Sequence, residues 1–311
     1  MLTPRSTVPC SACNFSPERQ RCCDYESDVK IFYEASDRGV WALGSDLILK
    51  DRGPMLPTDE SANLCFVKEN TTIPVPTVIT HRAGNNGHAL TIITRIPGEP
   101  LNEAWPKLTD DEKENIAKQT AEYLLQLRAL QSDRIEGLDG RPIYSDYLYT
   151  EDGRQYAPCP PLKSDDNVWN GMAARLNPDL PEAVRRRLRR YMPPTKPFTF
   201  THNDLTHVNI MVQNGELAGI IDWERAGYFP VWWEYIGTIL TGEGQDDLDW
   251  KSLLAQYMPD MEDAFEWFLD YHNLCKPDLD TRRSKAFIQA SEEEESKKNE
   301  SGVDEPEVDE S

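Results

Sequence analysis

The chain has 311 residues, 39% of them hydrophobic, with eight Trp and twelve Tyr, which is enough apolar surface for one large domain or two lobes. Its formal net charge of −21 at pH 7 argues against a nucleic-acid partner, whose phosphates would be repelled, and accommodates a cationic one. No segment has the apolar run of a signal peptide or a membrane span, and the seven cysteines fit reduced thiols, so the expected compartment is the cytoplasm, with no membrane partner.

Residues 1–27 are polar and are expected to form a flexible arm. Cys10 and Cys13 followed by Cys22 and Cys23 raise the question of zinc, but an adjacent pair suits a tetrahedral site poorly compared with two spaced pairs. Globular patterning begins at Val29. Lys30–Tyr33 fits a helix or a strand, and Gly39–Gly44 and Asp46–Lys50 read as two strands joined by a turn. Asp59–Val67 has apolar residues near helical spacing, with Glu60 in the first turn, where the helix dipole favours an acid. Pro74 and Pro76 end that helix. Val78–Thr80 and Ala89–Thr94 read as strands on either side of the turn-rich Ala83–Gly87, and Arg95-Ile96-Pro97-Gly98 then breaks regular structure.

Thr109-Asp110-Asp111-Glu112 is a capping box, and it opens a helix with Ile116, Tyr123, Leu124 and Leu127 on one face. Residues 132–166, rich in Gly, Pro, Asp and Tyr, are expected to wrap the surface. Short helices are expected at Asn167–Leu176 and Pro181–Tyr191; the second carries Arg185, Arg186, Arg187, Arg189 and Arg190, read as a solvated face. Trp232 and Trp233 read as core, with a pocket wall that uses Glu234 as an acidic contact as the sharper alternative. Two helices follow near Leu248–Tyr257 and Met261–Cys275, and the acidic tail 289–311 is expected to be disordered.

The chemistry concentrates in Phe198–Gly227. Asn214-Gly215 is the dipeptide a two-residue hairpin turn prefers, because both residues must take positive φ. Pairing outward from it puts Asn209 near Ile220, with Asp222 just beyond, so both emerge at the open end of the hairpin. An amide oxygen and a carboxylate held together suit Mg²⁺, which commonly takes one or two oxygens from protein and the rest from phosphate and water. Asp204, five residues before Asn209, is placed to orient a hydroxyl toward a phosphate. His202 either shares in the chemistry or braces the loop, and either aspartate taken alone could be a turn or cap residue. The spacing H-x-D-x-x-x-x-N with a later Asp matches the working parts of a phosphoryl-transfer site.

His202-Asn203-Asp204-Leu205-Thr206-His207-Val208-Asn209 followed by Ile220-Ile221-Asp222-Trp223 resembles the aminoglycoside phosphotransferase and choline kinase-like family of small-molecule kinases. Asp222-Trp223-Glu224 stands where protein kinases have Asp-Phe-Gly, which points to the small-molecule branch. The resemblance implies an α+β, bilobal protein-kinase-like fold. A small antiparallel-sheet lobe over 28–96 would bind the nucleotide, and a larger, mainly helical lobe over 97–288 would carry catalysis and the substrate. It implies ATP and Mg²⁺ as cofactors and transfer of the γ-phosphate to a hydroxyl of a small molecule. Asp204 would be the catalytic base with His202 beside it, and Asn209 and Asp222 would hold the metal. Lys50, kept in place by Glu60, would steady the phosphates, and the adenine edge would meet Thr94, Arg95 and Ile96.

One departure from the family concerns its glycine-rich loop. Gly39 and Gly44 stand far apart with Trp41 between them, so the loop Ser36–Gly44 is the expected cover for the phosphates. Two alternatives follow. A nucleotide-binding pseudokinase with a regulatory or scaffolding role is favoured by that poor loop. A protein kinase is disfavoured by Asp222-Trp223-Glu224 and by the lack of an Ala-Pro-Glu element after it.

Overall fold

Alternating β-branched and aromatic residues fold the N-terminal part into a five-stranded antiparallel sheet. The structure is a computed structural model, and it describes residues 29–35, 38–53, 60–84, 87–145, 147–148, 158–240 and 244–301. The strands are β1 (Val29–Ala35), β2 (Arg38–Leu43), β3 (Leu47–Arg52), β4 (Val78–Ala83) and β5 (Ala89–Thr94), in the order β1-β2-β3-β5-β4. Helix α1 (Glu60–Asn70) lies between β3 and β4 in sequence and buries Leu64 and Val67.

Most of the stretch Ser36–Gly44, expected to cover the phosphates, is strand rather than loop. Arg38–Leu43 is strand β2, and the Trp41 indole folds back over Gly39, where an added Cβ would fall 2.1 Å from the ring. Ser36 and Asp37 lie outside the described residues, as do the arm 1–27 with its four cysteines and the tail residues 302–311.

The chain divides into two compact units. The first comprises Met1–Leu127, His202–Ala226 and Gly242–Tyr257, so the N-terminal sheet and the motif-bearing hairpin belong to one unit. The hairpin is β9 (Ile210–Gln213) and β10 (Glu216–Ile220), turning through Asn214 and Gly215 at φ 54° and 77°. β6 (Glu99–Pro100) pairs with β9. Gly98 precedes it at φ 94°, where a Cβ would meet the Val212 carbonyl oxygen at 2.0 Å, so only glycine fits. Helix α2 (Leu101–Ala104) follows, then α3 (Asp110–Ala129). The predicted capping box is formed: Glu112 N donates to Thr109 Oγ1 at 3.3 Å, and Thr109 N donates to Glu112 Oε2 at 2.8 Å. The α3 residues Ile116, Leu124 and Leu127 are buried, and Trp105 meets Trp250 of α7 (Gln245–Ala255) edge to face.

The second unit comprises Arg128–Thr201, Gly227–Thr241 and Met258–Ser311. Its sheet has the order β11-β8-β7, from β7 (Gln131–Ser132), β8 (Phe198–Thr201) and β11 (Gly227–Pro230). Its helices include α4 (Asp165–Ala173), α5 (Glu182–Arg190), α6 (Trp233–Leu240), α8 (Glu262–Leu274) and α9 (Arg282–Ser301). Trp232, Trp233, Trp267, Phe268 and Tyr271 centre its core, which makes the two adjacent tryptophans packing residues.

Three expectations change in this unit. Ile135, Ile143, Leu148 and Cys159 are buried, so 132–166 supplies core as well as surface. The arginine run is not a free solvated face. Arg186 pairs with Glu295 and Arg187 with Glu294, each at 2.6 Å, and Arg190 also pairs with Glu294. Residues 289–301 accordingly form part of helix α9, although a disordered tail was expected from 289. Composition marks that stretch as unable to fold alone. It does not register the counter-charges on α5 or the packing of Phe287 and Ile288 against the core. Among the described residues no helix is long and apolar enough to cross a membrane.

Candidate active site

Strand alternation puts Lys50 and Arg52 on the same face of β3, and both are buried, each 7% exposed. Buried cations need partners. Lys50 Nζ donates to Glu60 Oε1 at 2.5 Å and to Asp222 Oδ1 at 2.8 Å. Arg52 Nη2 donates to the same Asp222 oxygen at 3.0 Å and stands 2.8 Å from Glu224 Oε2. Arg38 Nη1 closes the series on Glu224 Oε1 at 3.0 Å. The result is a chain of alternating charge: Glu60, Lys50, Asp222, Arg52, Glu224, Arg38.

The hairpin delivers Asp222 to this network by a register that differs by one residue from the expected one. The pairs Leu217↔Val212 and Gly219↔Met211 bracket a bulge at Ala218. Ile221, rather than Ile220, is therefore opposite Asn209, and Ile221 N donates to Asn209 O at 2.9 Å. Asp222 turns out of the strand in the left-handed region, at φ 64° and ψ 58°, and opens a short 3-10 turn, Trp223–Arg225. Asn63 of α1 anchors that turn, with Nδ2 donating to Trp223 O at 2.8 Å and to Ala226 O at 3.3 Å.

Burial alone would raise the Asp222 carboxyl pKa, but the Lys50 ammonium and the Arg52 guanidinium outweigh it and hold the group down at about 2. Burial likewise acts against the charge on Lys50, and the Glu60 and Asp222 carboxylates overcome it, so its pKa is raised. Lys50 is thus a cation and Asp222 an anion at neutral pH.

The loop before β9 is braced from within. His202 is fully buried; its Nε2 donates to Ile221 O at 2.9 Å and its Nδ1 accepts from Asp204 N at 3.2 Å. Those two bonds require the neutral Nε2–H tautomer. Asn209 Nδ2 donates to Asp204 O at 2.8 Å, which leaves Asn209 Oδ1 as its side-chain acceptor. The backbone on either side of the half-buried Asp204 is held in this way. From the α7 side, Asp247 Oδ1 stands 3.1 Å from His207 Nδ1 while its Oδ2 takes Lys251 Nζ at 2.6 Å.

Burial pushes the His202 pKa down to about 4, against 6.5 for the free side chain. The unfolded chain therefore takes up a proton between those values and the folded chain does not. Stability falls as pH falls through that window, by about 3 kcal/mol in all. Urea denaturation between pH 7 and pH 4 should show this loss in the wild type and a correspondingly shallower one in His202→Gln. Equal losses in the two proteins would contradict a neutral buried His202.

A cavity of about 520 Å³ opens beside Lys50. Val40, Ile48 and Ile93 of the sheet and Met211 and Ile221 of the hairpin give it apolar walls, a setting for a flat aromatic group. Thr94, Arg95 and Ile96 also line it. Thr94 N donates to Thr77 O at 2.9 Å and Arg95 N to Asp46 O at 2.7 Å. Among the described residues the Ile96 amide donates to none, so it is the backbone donor this edge has to offer.

The structure thus brings Lys50, Glu60 and Asp222 into direct contact, joins Asp204 to Asn209 and His202, and sets Thr94, Arg95 and Ile96 on the cavity. Arg52, Arg38 and Glu224 were missed from the sequence. The available signals were the two-residue spacing of Lys50 and Arg52 in a strand and of Asp222 and Glu224 after the hairpin.

The oxygen donors Asn209 Oδ1 and the ionised Asp222 fit a hard divalent cation, which would draw its remaining ligands from phosphate and water. Among the described residues no three His, Cys, Asp or Glu side chains form a metal-holding group.

No curated protein matches the chain by sequence. Several solved structures share its fold. The GDP and kanamycin complex of the aminoglycoside phosphotransferase APH(2″)-IIIa is similar at 15% identity and a TM-score of 0.53, over 88% of this chain and 95% of that one. The streptomycin–ATP ternary complex of APH(2″)-IIa is similar at 14% identity and a TM-score of 0.51, over 86% and 91%. A thermostable mutant of APH(4)-Ia in ternary complex with ADP and hygromycin B is similar at 13% identity and a TM-score of 0.52, over 85% and 94%. These likenesses show the expected α+β, protein-kinase-like fold. A sequence model of the phosphotransferase enzyme family matches residues 37–267, well over half the chain. With that match, the chain belongs to the phosphotransferase enzyme family.

Proposed function

We propose that the protein transfers the γ-phosphate of ATP to a hydroxyl group of a small molecule. The observation that carries this reading is the convergence of Lys50 and Asp222 beside an apolar cavity, with Asp204 and Asn209 braced on the adjoining loop. The adenine ring fills the cavity and takes a hydrogen bond from the Ile96 amide. Lys50, positioned by Glu60, holds the phosphates. Asn209 and Asp222 would hold Mg²⁺, which would supply charge neutralisation on the transferring phosphoryl group. Asp204 accepts a hydrogen bond from the acceptor hydroxyl, aims its oxygen at the γ-phosphorus and takes its proton as the new O–P bond forms and the bond from the γ-phosphorus to the β–γ bridging oxygen breaks, with ADP as the leaving group. His202 keeps the loop in register and stays neutral. In this reading 28–96 is the nucleotide-binding part and 97–288 supplies the catalytic and acceptor-binding part.

The neighbours' complexes with kanamycin, streptomycin and hygromycin B favour a polyhydroxylated, cationic acceptor, and the net charge of −21 agrees with one. The test is ATP consumption with Mg²⁺ against a panel of aminoglycosides, amino alcohols and sugars. Acceptor-dependent ADP release is the expected result. The reading fails if no acceptor stimulates ADP release and Mg–ATP does not bind.

A further inference from the structure

Arg52 has no part in the mechanism just described, yet it sits on the metal carboxylate. Its guanidinium and the Lys50 ammonium share one oxygen, Asp222 Oδ1, at 3.0 and 2.8 Å. The side chain is almost wholly buried, and its Nε is enclosed without a hydrogen-bond partner among the described residues. An arginine this buried with one donor unspent is not in its best-satisfied arrangement. Glu224 holds the same Nη2 at 2.8 Å and is itself held by Arg38 at 3.0 Å, so Arg52 has a second anchor if it leaves Asp222. A dication arriving at Asp222 in this arrangement would meet two cations already within hydrogen-bond range of its ligand oxygen. A nucleotide brings several anionic oxygens to the same place, and those are better partners for a guanidinium than a carboxylate it must share.

Resting on the nucleotide-site reading above, we propose that Arg52 is the protein's own counter-cation for Asp222. With the site empty it holds Asp222 together with Lys50; with nucleotide bound it passes to the phosphates, so that divalent metal enters with the nucleotide rather than before it. Arg52 thereby takes over part of the phosphate-holding work of the glycine-rich loop that Gly39, Trp41 and Gly44 do not build.

Isothermal titration with Mn²⁺ as the metal probe and ADP as the nucleotide probe tests this. Wild type should bind Mn²⁺ at least about tenfold more weakly without ADP than with it, and metal and nucleotide must show the same coupling factor in either order. Arg52→Gln should bind Mn²⁺ about tenfold more tightly than wild type when nucleotide is absent, and ADP about tenfold more weakly when metal is absent. Arg52→Lys, which keeps the charge, should restore the wild-type metal behaviour. Wild type that binds Mn²⁺ equally well with and without ADP overturns the inference, and this arm needs no variant to fold. Arg52→Gln that matches wild type in both titrations overturns it while leaving the nucleotide site intact. Wild type that binds ADP neither with nor without metal overturns the nucleotide site and the inference together.

Discussion

Asp204→Asn is expected to lower kcat by about 10²–10⁴-fold, the usual scale for loss of a positioned general base, while nucleotide affinity stays within about twofold. The substitution is nearly isosteric. Two bonds that hold the loop around residue 204 run through its backbone atoms: its N–H donates to His202 Nδ1 and its carbonyl accepts from Asn209 Nδ2. Neither depends on the carboxylate, so both should survive the substitution. What is lost is an acceptor with enough negative charge to orient a hydroxyl and take its proton. Acceptor-stimulated ATP turnover gives kcat, and titration with a fluorescent nucleotide gives affinity. Turnover within a few-fold of wild type would rule out a catalytic role for Asp204. Loss of nucleotide binding together with turnover would show that the residue supports the fold of the site instead.

Asp222→Asn should remove the stabilisation that Mg–ATP confers. A ligand present at about a hundred times its dissociation constant adds about 2.7 kcal/mol to the folded state, which a thermal melt reads directly. The variant should melt at the same temperature with and without Mg–ATP, whereas wild type shifts upward. A second signature lies in acid. The folded carboxyl titrates near 2 and the free one at 3.8, so its ion pairs stabilise fully above about pH 4. That contribution fades as pH falls toward 2. It amounts to at most about 2 kcal/mol, reduced by solvent screening because the Asp222 side chain is 27% exposed. The variant should lack this acid-labile component. A magnesium-dependent shift of wild-type size in Asp222→Asn would take the metal away from Asp222.

Much of this was legible before any coordinates, for reasons that can be named. The Asn214-Gly215 turn follows from which residues tolerate positive φ, so the hairpin and its open end could be placed from a dipeptide. The capping box at Thr109, the strand read over Asp46–Lys50 and found over Leu47–Arg52, and the helix read over Asp59–Val67 and found over Glu60–Asn70 follow from equally local preferences. The register was not legible, because the bulge at Ala218 answers to how β10 fits its neighbours. Gly219 is the clearest sign: a Cβ there would meet the Pro74 carbonyl oxygen at 2.9 Å and Ile96 Cγ2 at 3.0 Å. The tail was misjudged for a related reason. An acidic run looks unfoldable until Arg186, Arg187 and Arg190 stand opposite it.

The sequence by itself determined the family, the fold class and the spacing of His202, Asp204, Asn209 and Asp222, since all of these reside in short stretches of chain whose conformation is set nearby. Only the tertiary structure decided which charges share an oxygen. Arg52 and Asp222 are 170 residues apart, and their meeting depends on where β3 lies against the end of the hairpin. Charges so far apart in sequence have no preference for one another until packing encloses them. Once buried, each must find a counter-charge, and among the described residues Lys50, Arg52, Asp222 and Glu224 pair with one another and with their immediate neighbours, Glu60 and Arg38.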